Sequence, residues 1–373
     1  MQVCFVVNKL SFFLSHRLDL AQAISLTHDF VLITDLQNSS DQDKRAIQEL
    51  KINAVHLNQR SKKIGWMDWL RYSMELRGLL HKISPTHVFY ITLELSMLGI
   101  ILHNFIGGKK SFFVISGLTN HLTSKSLKML MRRQIHRIFN LLLYVQKKHL
   151  FIFQNNDDRR LFLKKNMAFK RNTKVIRGNG VNPLVFYSAE RPKNTSLVFL
   201  FSSRLLLSKG IKEFIEASKI LQIKYPQTIF QVAGCYDPGD AESISKEEFD
   251  TLILDTDYLG EIEHTNMPKI LAEVSVFVLP SYGEGLPKAA LEAGLMGLPL
   301  IVADVPGCRD CINGQENGFL VEPRNITDLS EKMEILILDH ELRSKQGKNA
   351  RDYILENFSN EVIHDEYIEL INT

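Results

Sequence analysis

Two glutamates eight positions apart, Glu284 and Glu292, lie in the run PSYGEGLPKAALEAG at residues 280–294. The run reads as a buried strand ending at Pro280, a glycine-rich turn, and then a helix. Gly283 and Gly285 let the backbone approach a ligand closely, and Pro287 suits a first helical turn. Turn amides beside a helix N-terminus form an anion site. Two carboxylates next to that site can accept hydrogen bonds from hydroxyls, which is what a sugar joined to a phosphate requires. On spacing alone a second reading stays open, in which both are solvent-facing helix charges. The run FSSRLLLSKG at residues 201–210 places Arg204 and Lys209 five apart across a turn. Arginine offers a two-pronged donor and lysine a point charge, so the two could converge on one diphosphate. The alternative is a pair of ordinary surface cations.

Other chemistries lack their residues. No G-x-G-x-x-G or G-x-x-x-x-G-K-[ST] run is present, which argues against a dinucleotide dehydrogenase and a P-loop NTPase. Cys308 and Cys311 have C-x-x-C spacing, but Cys4 and Cys235 supply no matching pair. Unlinked thiols are therefore expected rather than a zinc site or a disulfide framework.

The elements that must carry these residues alternate. Strands are expected at residues 3–7, 30–34, 52–57, 87–92, 111–115, 150–153 and 173–177. Helices are expected at 15–25 and 66–83. After a polar stretch at 187–194 containing Pro192, the pattern restarts. Strands are then expected at 197–202, 228–233, 275–280, 299–303 and 319–321, with helices at 209–223 and 286–295 and a polar acidic loop at 237–248. This alternation gives an α/β class, with two Rossmann-like doubly wound domains facing a cleft. The boundaries expected are 1–190 and 191–355, with a C-terminal helix at 356–373 packing back on the N-terminal domain. In such folds ligands lie beyond the carboxyl ends of the strands.

The 373 residues carry 45 Lys+Arg and 42 Asp+Glu, with 45% hydrophobic residues, ordinary values for a globular chain. The near balance hides a split. Residues 1–190 hold 28 Lys+Arg and 12 Asp+Glu (+16), and residues 191–373 hold the remaining 17 and 30 (−13). Residues 109–149 hold nine Lys+Arg and no Asp or Glu, interleaved with apolar residues. Lys125, Lys128, Arg132, Arg133 and Arg137 on such a stretch read as contact with an anionic membrane surface. A solvated helix with an ordinary core face is the other reading. No nucleic-acid-binding motif accompanies the charge, so no nucleic-acid partner is expected. Residues 1–8 lack a basic leader, their apolar run is short, and no 18-residue apolar run occurs, so neither a signal peptide nor a spanning helix is expected.

The 280–294 run resembles the retaining glycosyltransferases of family 4, which have the GT-B fold and a signature of two glutamates separated by seven residues. The likeness continues through GLPLIVADVPGCRD at 297–310 and NGFLV at 317–321. Residues 201–210 are similar to the family's G-R-L-x-x-x-K-G element, with Ser203 where glycine is usual. The segments FFLSHR at 12–17, FQNNDD at 153–158 and GNGVN at 178–182 resemble a subgroup acting in surface-polysaccharide and lipid-linked oligosaccharide assembly. The resemblance implies that Glu292 binds a ribose and that Glu284 contacts the transferred sugar. Arg204 and Lys209 would stabilise the leaving diphosphate, with Gly285, Leu286, Gly234 and Ser203 completing the donor site. His16 either lines the cleft or is a helix N-terminal histidine held by backbone contacts. Ser116 stands before Gly117 where many relatives carry a donor-contacting histidine, and His121 is close by. The run Asp255-Thr256-Asp257 has the form that holds a metal in a different glycosyltransferase fold, and here it is expected to be a polar loop.

The activity implied is transfer of a hexose or N-acetylhexosamine from a nucleoside-diphosphate sugar, UDP-linked by analogy with the subgroup. The acceptor would be a polyprenyl-diphosphate-linked or other lipid-linked saccharide. No metal or other cofactor would be required, and the protein would sit in the cytoplasm on the inner face of the membrane. A sugar-nucleotide epimerase on the same fold and a non-catalytic membrane scaffold remain open alternatives.

Overall fold

In the computed structural model the described residues are 1–58, 66–103, 109–115, 149–187, 196–240 and 242–373. Ser116, Gly117, His121, Lys125, Lys128, Arg132, Arg133 and Arg137 lie outside them. The chain forms two compact units, one comprising Met1–Asn179 with His364–Thr373 and the other Gly180–Ile363.

The first unit is built on a parallel sheet of seven strands in the order β3-β2-β1-β4-β5-β6-β7. These are β1 (Gln2–Lys9), β2 (Asp29–Asp35), β3 (Ala54–His56), β4 (His87–Ile91), β5 (Lys110–Ile115), β6 (His149–Phe153) and β7 (Thr173–Val175). Val3, Cys4, Phe5, Val6 and Val7 are all buried. An apolar run without alternation is what a parallel strand covered on both faces needs. One helix was expected at residues 15–25. Two occur, Leu10–His16 and Leu18–Ser25, meeting at Arg17. Leu10 and Phe13 of the first and Leu20, Ala21 and Ile24 of the second are buried, so each helix covers core separately. The helix Leu93–His103 was not anticipated, because its apolar residues run nearly all round and give no periodic stripe.

The second unit carries a parallel sheet of six strands in the order β10-β9-β8-β11-β12-β13. These are β8 (Val198–Ser202), β9 (Ile229–Ala233), β10 (Asp257–Gly260), β11 (Val276–Leu279), β12 (Leu300–Ala303) and β13 (Gly318–Val321). Helices Ile211–Lys224, Lys246–Asp255, Met267–Glu273, Lys288–Leu295, Ile326–Leu338 and His340–Phe358 connect or follow them. Both doubly wound sheets match the α/β class expected from the alternation. The segment 255–257 is not a polar loop. Asp255 ends a helix and pairs with Lys219 at 3.1 Å, while Asp257 opens β10 and accepts from Gln231 at 2.8 Å. Both carboxylates thus have side-chain partners on neighbouring elements. The expected acidic loop at 237–248 likewise ends early, because Ser245 and Glu248 form a capping box that starts a helix at Lys246.

Strand order reverses between β1 and β4 in the first sheet and between β8 and β11 in the second. A crevice opens beyond the carboxyl ends of the strands at such a reversal. The segments that follow β8 and β11 are the two runs singled out for their chemistry.

Candidate donor site

Beyond β8 the backbone passes Ser203 and Arg204 into a 3-10 turn, Leu207–Lys209, closed by Gly210. Beyond β11 it runs through Pro280 to Pro287 before the helix Lys288–Leu295. The two segments are bonded to each other. Tyr282 N–H donates to the Ser208 carbonyl at 2.8 Å, and Ser281 Oγ donates to the same carbonyl at 3.1 Å. Gly210 is left-handed (φ 76°), and a Cβ there would stand 2.2 Å from the Pro280 carbonyl oxygen. Only glycine allows that approach. On the other side, Glu284 N–H donates to the Pro306 carbonyl at 3.3 Å. A Cβ on Gly307 (φ 80°) would lie 2.5 Å from the Glu284 carbonyl oxygen. The turn carrying Glu284 is therefore held from both flanks by backbone.

This framing brings two of the sequence candidates together. Lys209 Nζ lies 2.6 Å from Glu284 Oε1, and the two side chains are only 17% and 14% exposed. Glu292 is more deeply placed, its side chain 5% exposed. The reading of both glutamates as solvent-facing charges is thereby excluded. Glu292 is the fifth residue of its helix, since that helix starts at Lys288 rather than Leu286. His264 Nε2 approaches Glu292 Oε1 at 2.6 Å, and Lys288 Nζ, one helical turn back, lies 3.6 Å from the same oxygen. A carboxylate this buried needs such partners, because removal from water penalises its charge.

Arg204 has a different carboxylate partner from Lys209. It is 65% exposed and faces Asp240 at 3.6 Å. Ser203 and Gly234 sit at the carboxyl edge of the sheet, where Ser203 N–H donates to the Ala233 carbonyl (3.1 Å) and Gly234 N–H to the Gly260 carbonyl (2.8 Å). Leu286 packs against the core of the second unit. Gly285 follows Glu284 in the turn, its carbonyl beside Gly307. Cys308 and Cys311 are buried separate thiols, and burial pushes both well above the usual thiol range.

In the first unit His16 is the last residue of its helix, not an N-terminal one. Its ring stacks on Phe12 at 4.5 Å, and Nδ1 lies 2.6 Å from Ser15 Oγ. The expected helix N-terminal placement is thus corrected, and side-chain contacts to Phe12 and Ser15 hold the ring.

Several residues escaped the sequence reading. His264 is 28 positions from the carboxylate it meets, and no local spacing announces it. Tyr282 Oη donates to Glu213 Oε1 at 2.6 Å, while the Arg324 guanidinium stands 4.5 Å over the Tyr282 ring. Burial, reinforced by Glu213, pushes the Tyr282 phenol up to about 12, so it stays a donor. Thr92 follows β4 at the reversal point of the first sheet with φ 107°, a strained value for a β-branched residue, and its Oγ1 lies 3.5 Å from Asn8 Nδ2.

Comparison with known proteins bears on this geometry. The family model described as glycosyl transferases group 1 matches residues 187–353, which contain the whole constellation. The chain is 30% identical over 274 residues to a Campylobacter jejuni protein, with 69% of each covered. That relative is an N,N'-diacetylbacillosaminyl-diphospho-undecaprenol alpha-1,3-N-acetylgalactosaminyltransferase. It is 30% identical over 186 residues to an Escherichia coli UDP-Gal:alpha-D-GlcNAc-diphosphoundecaprenol alpha-1,3-galactosyltransferase, covering 48% of this chain and 47% of that one. Among solved structures, Anabaena HepE in complex with UDP superposes with a TM-score of 0.79 at 16% identity over 100% of both chains. At that identity the likeness establishes the fold, which is that of GT-B proteins.

Proposed function

The chain belongs to the group 1 glycosyltransferases, and from that premise we propose that the second unit binds a nucleoside-diphosphate sugar whose glycosyl group passes to a lipid-linked saccharide. The observation that carries this reading is the meeting of Lys209 and Glu284 at 2.6 Å at the strand-order reversal, with Glu292 buried on the helix that follows.

Each part has a role its chemistry suits. Glu292 accepts from ribose hydroxyls. Glu284 accepts from hydroxyls of the transferred sugar, with the amides of Gly285 and Leu286 beside it. Lys209 meets the diphosphate, and Arg204 joins it by turning from Asp240, which its exposure permits. Negative charge grows on the diphosphate as the anomeric bond loosens, and preorganised donors lower that barrier. Ser203 and Gly234 line the strand ends on the nucleoside side. By family analogy the acceptor hydroxyl attacks from the face the leaving group departs, with retention and without a metal.

A UDP-linked hexose follows the Escherichia coli relative's name, an N-acetylhexosaminyl group the Campylobacter jejuni relative's, and a polyprenyl-diphosphate-linked acceptor both. No helix among the described residues is long and apolar enough to cross a membrane. Contact with an anionic leaflet on the cytoplasmic side, through Lys125, Lys128, Arg132, Arg133 and Arg137, belongs to the same proposal. So do acceptor contacts from His16, Ser116, Gly117 and His121 of the first unit.

The test is a thermal-shift series with nucleoside diphosphates and their sugars on the wild type and Glu292→Ala. A ligand at about 100 times its Kd adds ~2.7 kcal/mol to stability. A shift with UDP and UDP-sugars that disappears in the variant supports the donor site. Equal shifts in both proteins remove Glu292 from it. Transfer to an undecaprenyl-diphosphate saccharide, unchanged by EDTA and stimulated by anionic vesicles, then checks acceptor, metal independence and membrane contact.

A further inference from the structure

His264 opens a 3-10 turn, His264–Asn266, between β10 and the helix Met267–Glu273. Its ring is 5.5 Å from that of Phe186, which is fully buried, and its side chain is 49% exposed. It is therefore anchored on one side and open on the other. The Glu292 carboxylate that it meets is 5% exposed. Among the described residues both polar side-chain partners of Glu292, His264 at 2.6 Å and Lys288 at 3.6 Å, take Oε1, and Oε2 takes neither. The shorter contact is the one with hydrogen-bond geometry. It sets the carboxylate's torsion, so it decides where Oε2 points.

We propose that His264 is the positioning residue for nucleoside recognition: it holds Glu292 Oε1 so that Oε2 faces the hydroxyls of a ribose. This rests on the reading of Glu292 as the ribose ligand. Nε2–H donates to the carboxylate, and Phe186 supports the ring from behind. Lys288 alone is too distant to hold one rotamer, because an ammonium on a flexible stem lacks directionality. His264 thereby ties the loop after β10 to the helix after β11. A nucleoside diphosphate without ribose hydroxyls gains nothing from the arrangement.

The experiment measures binding of UDP and of 2′,3′-dideoxyuridine 5′-diphosphate to the full chain by calorimetry. His264→Phe is expected to weaken UDP about tenfold, the size of one lost charge-assisted hydrogen bond, and to leave the dideoxy analogue unchanged. His264→Gln, whose amide nitrogen can take the place of Nε2, is expected to restore most of the UDP affinity. A purely structural role would weaken both ligands alike and would overturn the proposal, as would His264→Phe binding UDP like the wild type. Glu292→Gln separates the two levels. If it leaves the preference for UDP over the dideoxy analogue intact, or if wild type binds no UDP, the ribose reading fails and takes the proposal with it. If Glu292→Gln abolishes that preference while His264→Phe keeps it, only the role of His264 fails.

Discussion

Lys209 and Glu284 neutralise each other at 2.6 Å in largely buried surroundings. Such a pair has already traded hydration for mutual attraction, and removing one partner leaves the other poorly compensated. In the proposed donor site a diphosphate competes with Glu284 for the ammonium, whereas an intact sugar nucleotide satisfies both groups together. Glu284→Gln keeps the side chain's size and frees Lys209. It is expected to tighten binding of free UDP about fivefold while lowering transfer on the order of a hundredfold. Calorimetry and initial rates read the two effects, and weakened UDP binding would show that Glu284 assists the diphosphate rather than rivals it. The opposing outcome for a carboxylate beside a phosphate follows from the contact itself. It was not legible from the sequence, where Glu284 and Lys209 lie 75 positions apart. Arg204 illustrates the same limit, since nothing local in the sequence announces that it faces Asp240.

At the scale of elements, the site depends on two segments whose backbones press directly together at Gly210 and Pro280. Gly210→Ala introduces a Cβ 2.2 Å from the Pro280 carbonyl oxygen at φ 76°. The left-handed conformation alone costs about 1–2 kcal/mol, and the 280–287 segment must also move. We expect a lowered urea midpoint together with weaker UDP binding. Lost stability with unaltered binding would mean that the turn does not position Glu284. Strands such as β1, β8 and β11 were readable because parallel strands covered on both faces are uninterrupted apolar runs. Helix ends were less so. The break at Arg17 carries no glycine or proline, and the helix Leu93–His103 has no polar face to give it a period. The register of the two glutamates was readable because both lie on one short strand-turn-helix run. The loops that meet that run, carrying His264 and Gly307, arrive from elsewhere in the chain. Local pattern cannot report them.

Across the whole molecule, two buried groups of the first unit give separate tests. Burial, with Lys110 adding to it, pushes the His87 imidazole down to about 4. The folded protein thus keeps His87 neutral while the unfolded chain protonates it below its ordinary value of ~6.5. Its contribution is fully present above that pH and is lost as pH falls toward 4, by up to ~1.4 kcal/mol per pH unit. His87→Phe should make the acid limb of the stability curve shallower, as urea titrations between neutral and mildly acid pH would reveal. An unchanged slope would place His87's proton affinity near its ordinary value. The second test concerns Arg17, buried at the junction of two helices, whose guanidinium donates to Tyr367 Oη at 3.0 Å and stands 5.6 Å from that ring. Tyr367→Phe removes the acceptor and should cost about 1–3 kcal/mol, with a null result pointing to the ring face as the sufficient partner. That one contact spans 350 positions, and Tyr367 belongs to the ten residues that return to the first unit after the second is finished. On the ribosome, Gly180–Ile363 has all of its own residues before the first unit has all of its own. The earlier-made residues of the first unit therefore wait, with Arg17 lacking its Tyr367 partner, for residues 364–373 to emerge. Chaperones that shield nascent chains would meet the basic half in its unfinished form.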